Sequence, residues 1–262
     1  IKEYIYKTSY SLMSVLGEGM FVMGGAGEQT RNSDVHYSFR QNSDFFYLTG
    51  FNEPDASLII SKKEDTVRSI LLVPPKDKVK EIWEGIRLGE QGAIECLGFD
   101  EAYSNDDIEE ILLKELGNHE KLFYEFNLDS SLDGLILDCL NHFRNVGRKN
   151  PIFPQSLVFY HRELGRMRHI KDKYEQDMMR KASEITRDAS YEVMRRLKPG
   201  MNEAEIQAAA NNGNYLENTA NHYVTVSYTH IRAHETREDM VWRVGREKKR
   251  GWGGGGGGGG GW

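Results

Sequence analysis

The chain has 262 residues with 34 basic and 40 acidic side chains, a formal net charge of −6, and 39% hydrophobic residues. An acidic balance argues against a nucleic-acid binder, and no apolar run approaches the ~20 residues that span a bilayer. Cys96 and Cys139 are too few and too far apart for a disulfide framework or a metal cage, so a reducing, cytoplasmic setting is expected.

Residues 1–20 read as an amphipathic helix ending near Gly17-Glu-Gly19. Met20-Phe-Val-Met23 reads as a buried strand stopped by Gly24-Gly-Ala-Gly27. This glycine cluster lacks both the Lys-Ser/Thr ending of a phosphate loop and full dinucleotide-site spacing, so it reads as a turn. The run Arg40 to Ala56 predicts a strand, a tight turn and the start of another strand. Phe45, Phe46, Tyr47 and Leu48 are bulky β-formers, Gly50 permits a positive φ, and Asn52-Glu-Pro-Asp55 is turn chemistry. In such an extended segment Arg40 and Asp44 would share one side and order the strand.

Leu58-Ile-Ile60 and Ser69-Ile-Leu-Leu-Val73 are further buried strands, separated by the charged turn Lys62–Asp65. Lys76–Trp83 predicts a short charged helix, Asp106–Leu116 a helix with acidic residues in its first turn, Lys121–Phe126 a strand and Ser131–Phe143 a helix. Strands interleaved with helices imply an α/β fold: a three-layer amino-terminal domain around a mixed, mostly buried sheet, over residues 1–150. A linker is expected over 151–170, beginning with Asn150-Pro-Ile-Phe-Pro154.

Beyond it the pattern turns helical. Met178, Ala182, Ile185, Ala189, Val193 and Leu197 recur at three- and four-residue intervals, predicting one long helix over roughly 171–197 that Pro199-Gly200 ends. Asn202-Glu-Ala-Glu205 is a capping-box pattern opening a second helix towards Leu216.

Residues 226–262 differ from the rest. Val226 to Thr236 resembles one reading frame of a sequencing adapter, and Gly253–Gly261 is an unbroken glycine tract with nothing to bury. This tail is expected to be non-native and disordered. Setting aside its 7 basic and 4 acidic residues leaves 27 basic against 36 acidic in residues 1–225, so the acidic character strengthens. The basic cluster Arg246–Arg250 is then no nucleic-acid patch, and the helical spacing of His230 and His234 is accidental.

Two blocks carry a family resemblance: Arg40-Gln-Asn-Ser-Asp-Phe-Phe-Tyr-Leu-Thr-Gly-Phe-Asn-Glu-Pro-Asp-Ala56, and Glu81-Ile-Trp-Glu-Gly-Ile-Arg-Leu-Gly89 downstream. Both resemble the amino-terminal domain of the Xaa-Pro aminopeptidases (aminopeptidase P), and the resemblance covers roughly residues 1–220. It implies that residues 171–225 are the incomplete, helical start of a pita-bread α+β catalytic domain. It also implies a homo-oligomeric metallopeptidase that removes an amino-terminal residue preceding proline. Two divalent metals, usually manganese, would be held by two Asp, one His and two Glu, and would activate a bridging water.

All five family ligands lie downstream of the 171–197 helix, so no metal ligand and no catalytic residue is carried over. No nucleophile elbow appears, and Asp34, Asp44, Asp55, Asp65 and Asp77 read as scattered turn carboxylates. The substrate-binding candidates are Trp83, whose indole suits a proline ring or hydrophobic first residue, and Asp34, which suits the substrate's α-ammonium. Arg162 departs by about one residue from the family's cleft arginine and is not assigned. The alternatives are a prolidase-type dipeptidase, or a non-catalytic peptide- or partner-binding module of the same architecture. In each case the chain by itself is expected to be inactive.

Overall fold

The structure, a computed structural model, describes residues 2–33, 35–37, 39–77, 81, 85–146, 152–202 and 205–206. The chain divides into two units, Ile1–Ile170 and Lys171–Trp262.

The first unit contains strands β1 (Gly19–Gly24), β2 (Thr30–Asn32), β3 (Val35–His36), β4 (Ser57–Lys63), β5 (Thr66–Val73), β6 (Glu101–Ser104), β7 (Lys121–Phe123) and β8 (Ser156–Val158). Six of them form one sheet in the order β6-β5-β4-β1-β7-β8, while β2 and β3 pair separately. The β1–β4 and β4–β5 pairs are antiparallel, and β5–β6, β1–β7 and β7–β8 are parallel.

Its helices are α1 (Lys2–Leu16), α2 (Ser43–Thr49), α3 (Gly89–Gly92, continued by a π-helical turn Ala93–Leu97), α4 (Ile108–Leu116), α5 (Ser130–Val146) and α6 (His161–His169). Because successive strand side chains alternate faces, each central strand feeds two cores. Phe21, Leu58, Ile60, Leu71 and Phe123 pack with Ile5, Leu12, Phe45, Leu48, Leu97 and Leu164 from α1, α2, α3 and its π turn, and α6. Met20, Val22, Ile59, Ile70 and Leu122 pack with Leu112, Leu116, Ile136, Cys139 and Phe143 from α4 and α5. Burial on both faces explains why these strands read as unbroken apolar runs.

The stretch Ser43–Thr49 is a helix, not the strand its β-formers suggest. Asn42 caps it, its side-chain oxygen accepting the Asp44 and Phe45 N–H groups at 2.8 and 3.2 Å. Gly50, at φ +63°, ends it and donates its N–H to the Phe46 carbonyl at 2.7 Å. Between these caps Phe45, Leu48 and Thr49 are buried at helical spacing. Local capping and tertiary burial outweigh the β-propensity of the aromatic residues.

Lys121–Phe126 also departs from expectation: the strand stops at Phe123, and Asn127 turns the chain at φ +70°. Strands β6 and β8, and α3 with its π turn, were not anticipated. All are short, and the two strands form the sheet's edges. Within the expected linker 151–170, β8 pairs with β7, and α6 buries Leu164 in the first core.

In the second unit α7 (Lys173–Arg196) corresponds to the long helix expected over 171–197. A capping box starts it: Glu175 N–H donates to Asp172 Oδ1 at 2.9 Å, and Asp172 N–H to Glu175 Oε2 at 2.8 Å. Ala182, Ile185 and Ala189 are its buried residues. The Asn202–Glu205 box is formed too, with reciprocal bonds of 2.8 and 3.0 Å. The helix expected beyond it towards Leu216, the tail 226–262 and most of the expected helix Lys76–Trp83 lie outside the described residues.

Candidate functional site

The two sequence blocks meet in space, and Gln41 makes the first connection. Its side chain is buried, and its Oε1 accepts the Ala26 N–H at 2.6 Å and the Asn42 N–H at 2.9 Å. Its Nε2 donates to the Glu53 carbonyl at 2.8 Å. Gly25 N–H donates to the Ala56 carbonyl at 2.7 Å, and Asp55 N–H to the Ala26 carbonyl at 3.0 Å. One buried amide therefore ties the end of β1, the cap of α2 and the turn 52–55 together. A Cβ on Gly25 would stand 3.0 Å from the Ala56 oxygen and 3.1 Å from Gln41 Oε1. Close backbone approach, rather than phosphate binding, explains a glycine there.

Glu53 makes the second connection. Its Oε1 accepts the Leu88 N–H at 2.7 Å, joining the first block to the second. Its Oε2 is buried with no hydrogen-bond partner. Within the second block, Glu81 closes the segment on itself: its carbonyl accepts the Gly85 N–H at 3.1 Å and its Oε1 the Arg87 N–H at 3.2 Å. Leu88 packs on the first core. Beside this junction lies an open cleft of about 590 Å³, lined by Glu53, Lys76, Ile86, Arg87 and Leu88 and by Gln91, Gly92, Glu95 and Cys96 of α3 and its π turn.

Asp44, at the start of α2, is ion-paired with Arg168 of α6. The Arg168 guanidinium also lies 5.7 Å from the centre of the Tyr47 ring. Asp44 therefore fastens α6 to α2 instead of aligning with Arg40, which is solvent-exposed. Arg162 is exposed on α6, and Asp55 and Asp65 are exposed turn residues. Both substrate-binding candidates, Trp83 and Asp34, lie outside the described residues. Gln41, Glu53 and Leu88 were missed in the sequence. The available signal was weak: a Gln next to a helix cap and a Glu inside an Asn-Glu-Pro-Asp turn.

A second charged cluster joins α4 to the edge of the sheet. The Glu115 carboxylate, 2% exposed, pairs with Arg68, which also meets Glu101 Oε1 at 3.0 Å. Tyr103 donates its hydroxyl to Glu101 Oε2 at 2.6 Å. That bond, followed by Arg68, holds the Glu101 carboxyl below its usual range despite partial burial. Burial pulls Arg68 down, but its two carboxylate partners more than compensate, and its pKa rises overall. His119 is pulled down by burial, against an opposing pull from Glu115. Every charge in this cluster is met within the fold, so it reads as structural. The Cys139 thiol is pushed up to about 11 by burial and is inert as a nucleophile.

Among the described residues, no three His, Cys, Asp or Glu side chains converge to hold a metal ion. These residues do not fit a divalent-metal centre. Nor is any helix among them long and apolar enough to cross a membrane.

Comparison with known proteins places these features. Residues 7–124 match the model of the aminopeptidase P N-terminal domain, and residues 177–255 that of metallopeptidase family M24. The chain is 35% identical to the Xaa-Pro aminopeptidase of Escherichia coli over 183 residues, covering 70% of this chain and 42% of that protein. These matches support a fragment of the aminopeptidase P family.

Human Xaa-Pro aminopeptidase 3 is 30% identical over 183 residues, covering 68% of this chain and 35% of the human protein. Zinc-substituted E. coli aminopeptidase P in complex with product superposes with a TM-score of 0.77 at 30% identity, over 83% of this chain and 50% of that one. Proline aminopeptidase P II from Yersinia pestis gives 0.75 at 32% identity, over 81% and 49%. The fold is thus that of aminopeptidase P, a three-layer α/β domain followed by a helical, pita-bread-type segment. The chain spans half or less of the length of these relatives. The M24 match itself runs past Val226, into the tail set apart by composition.

Proposed function

We propose that this chain is the amino-terminal part of an Xaa-Pro aminopeptidase, a metal-dependent hydrolase that releases an amino-terminal residue preceding proline. The observation that carries this reading is the 35% identity to the E. coli enzyme over 183 residues. Its support within the fold is the direct junction of the two resembling blocks through Glu53 and Leu88. Membership of a metallopeptidase family implies a divalent metal, and the resemblance favours a pair of manganese ions. Since the described residues do not fit such a centre, the role assigned to them is recognition.

Trp83 packs against the proline ring or the hydrophobic first residue of the peptide, and Asp34 attracts its α-ammonium. Residues 1–150 form the domain that restricts access to short peptides, and residues 171–225 open the catalytic domain. The complete protein is a cytoplasmic homo-oligomer, a setting that suits its two free cysteines. Residues 1–262 alone are inactive.

The test is to express the complete gene and supply Mn²⁺ with peptides bearing proline or alanine in second position. Release of the first residue only from the proline series is expected. Cleavage confined to Xaa-Pro dipeptides would make the protein a prolidase, and peptide binding without turnover would make it a binding module.

A further inference from the structure

The cleft beside the block junction is lined by two opposite charges that the fold leaves without partners. Glu53 is the first: its Oε1 accepts the Leu88 N–H at 2.7 Å, while its Oε2 is buried with no donor. Enclosing an unpartnered carboxylate oxygen is unfavourable by itself, so its presence at a cleft points to a donor that arrives from outside the chain. Lys76 is the second: its ammonium has no hydrogen-bond or ion-pair partner among the described residues. Its stem is nevertheless held in place, because it lies flat on Gly89. A Cβ at Gly89, where φ is +65°, would stand 2.6 Å from Lys76 Cε and 2.9 Å from Cγ.

The other charges of the cleft are engaged. Glu95 Oε1 accepts from Gln91 Nε2 at 2.8 Å, and Arg87 is partnered as well. Glu53 and Lys76 do not pair with each other. What remains is one carboxylate oxygen and one ammonium, set apart around a space of about 590 Å³. That volume falls within the range of about 300–1,000 Å³ typical of small-molecule sites. A ligand that completes both groups carries a cationic donor and an anion.

We propose that this cleft binds a small zwitterion with a primary ammonium and a carboxylate, either a free amino acid or a short unblocked peptide. The Glu53 carboxyl pivots on its Leu88 bond to bring Oε2 to the ligand's ammonium, and Lys76 takes the ligand's carboxylate. Both contacts are charge-assisted. The assignment stands on these residues, whatever the complete protein hydrolyses.

The test uses the 262-residue chain, with calorimetry for affinity and backbone amide NMR shifts to locate the ligand. The probes are Ala-Ala, its N-acetyl and C-amide derivatives, and free alanine. Ala-Ala is expected to bind saturably and to shift the amides of Glu53 and Leu88–Cys96. Blocking either end weakens binding roughly tenfold, the worth of one hydrogen bond to a charged group. Glu53→Gln weakens Ala-Ala by a similar factor and leaves the N-acetyl derivative unchanged. Lys76→Met weakens Ala-Ala likewise and leaves the C-amide derivative unchanged. Alanine binding as tightly as Ala-Ala assigns the cleft to free amino acids, and tighter binding of Ala-Ala assigns it to peptides.

An absence of saturable binding, an affinity unmoved by blocking the ends, or Ala-Ala binding that survives both substitutions would overturn the proposal. Lys76 is exposed, so Lys76→Met decides the question should Glu53→Gln fail to fold. A complete protein that cleaves no Xaa-Pro peptide would refute the functional reading above and leave this assignment standing.

Discussion

The central strands of the first unit are buried on both faces, whereas α7 of the second unit buries Ala182, Ile185 and Ala189 and exposes Met179, Tyr191 and Met194. The first unit draws its stability from two cores that share one sheet. Among the described residues, α7 shows mainly local devices: the Asp172–Glu175 capping box and short-range pairs such as Arg196–Glu192 at 2.6 Å. Surface pairs of this kind contribute only about 0.2–0.5 kcal/mol each. The contrast teaches that a sheet buried on both faces is held by two cores at once, while the described part of α7 adds local capping and short-range pairs to a single narrow buried stripe.

The sharpest way to break this contrast is Phe21→Ala. Phe21 is fully buried and its ring lies 4.6 Å from that of Tyr160, so truncation should destabilise the first unit by roughly 3–5 kcal/mol in urea unfolding. Ile185→Ala in α7 should leave the transition of the first unit within about 0.5 kcal/mol of wild type. Equal effects would mean that the two units unfold as one.

Next in size is Glu115→Gln. A broken buried ion pair typically costs about 3–5 kcal/mol. Arg68 is 34% exposed and keeps Glu101, so a loss of roughly 2 kcal/mol is expected. Asn42→Ala should cost about 1 kcal/mol by uncapping α2, and should lower amide-exchange protection across Ser43–Thr49. Asp172→Ala should cost α7 a similar amount without changing protection in the sheet.

The smallest effect is a pH dependence. His119 has a lowered pKa in the folded state, so the unfolded chain takes up its proton first and stability falls as pH drops below the ordinary histidine range. Glu101 is also lowered, so its contribution is present above the ordinary glutamate range and is lost as pH falls through its folded pKa. Both therefore weaken the fold on the acid side. His119→Gln should flatten the upper part of that slope, between the ordinary histidine pKa and the lower folded one. Thermal melts from pH 7 to 4 test it, and an unchanged slope would contradict the assignment.

Much of the sheet was legible because strands buried on both faces leave continuous apolar runs, as at Leu58–Ile60 and Ser69–Val73. Helices α5 and α7 were legible from their long periodic faces. Ser43–Thr49 was misread because Asn42 and Gly50, the residues that cap it, also suit a turn between strands. The edge strands β6 and β8 offer three or four residues and no periodic signal. The block junction was half-legible: both segments stood out, but a hydrogen bond between residues 35 positions apart leaves no trace in local pattern.

The most direct test is to incubate purified residues 1–262 with Mn²⁺ and an Xaa-Pro peptide and assay release of the first residue. No hydrolysis above the metal-only control is predicted, because recognition rather than chemistry is assigned to these residues. Manganese-dependent turnover abolished by chelation would show that this polypeptide carries its own hydrolytic centre.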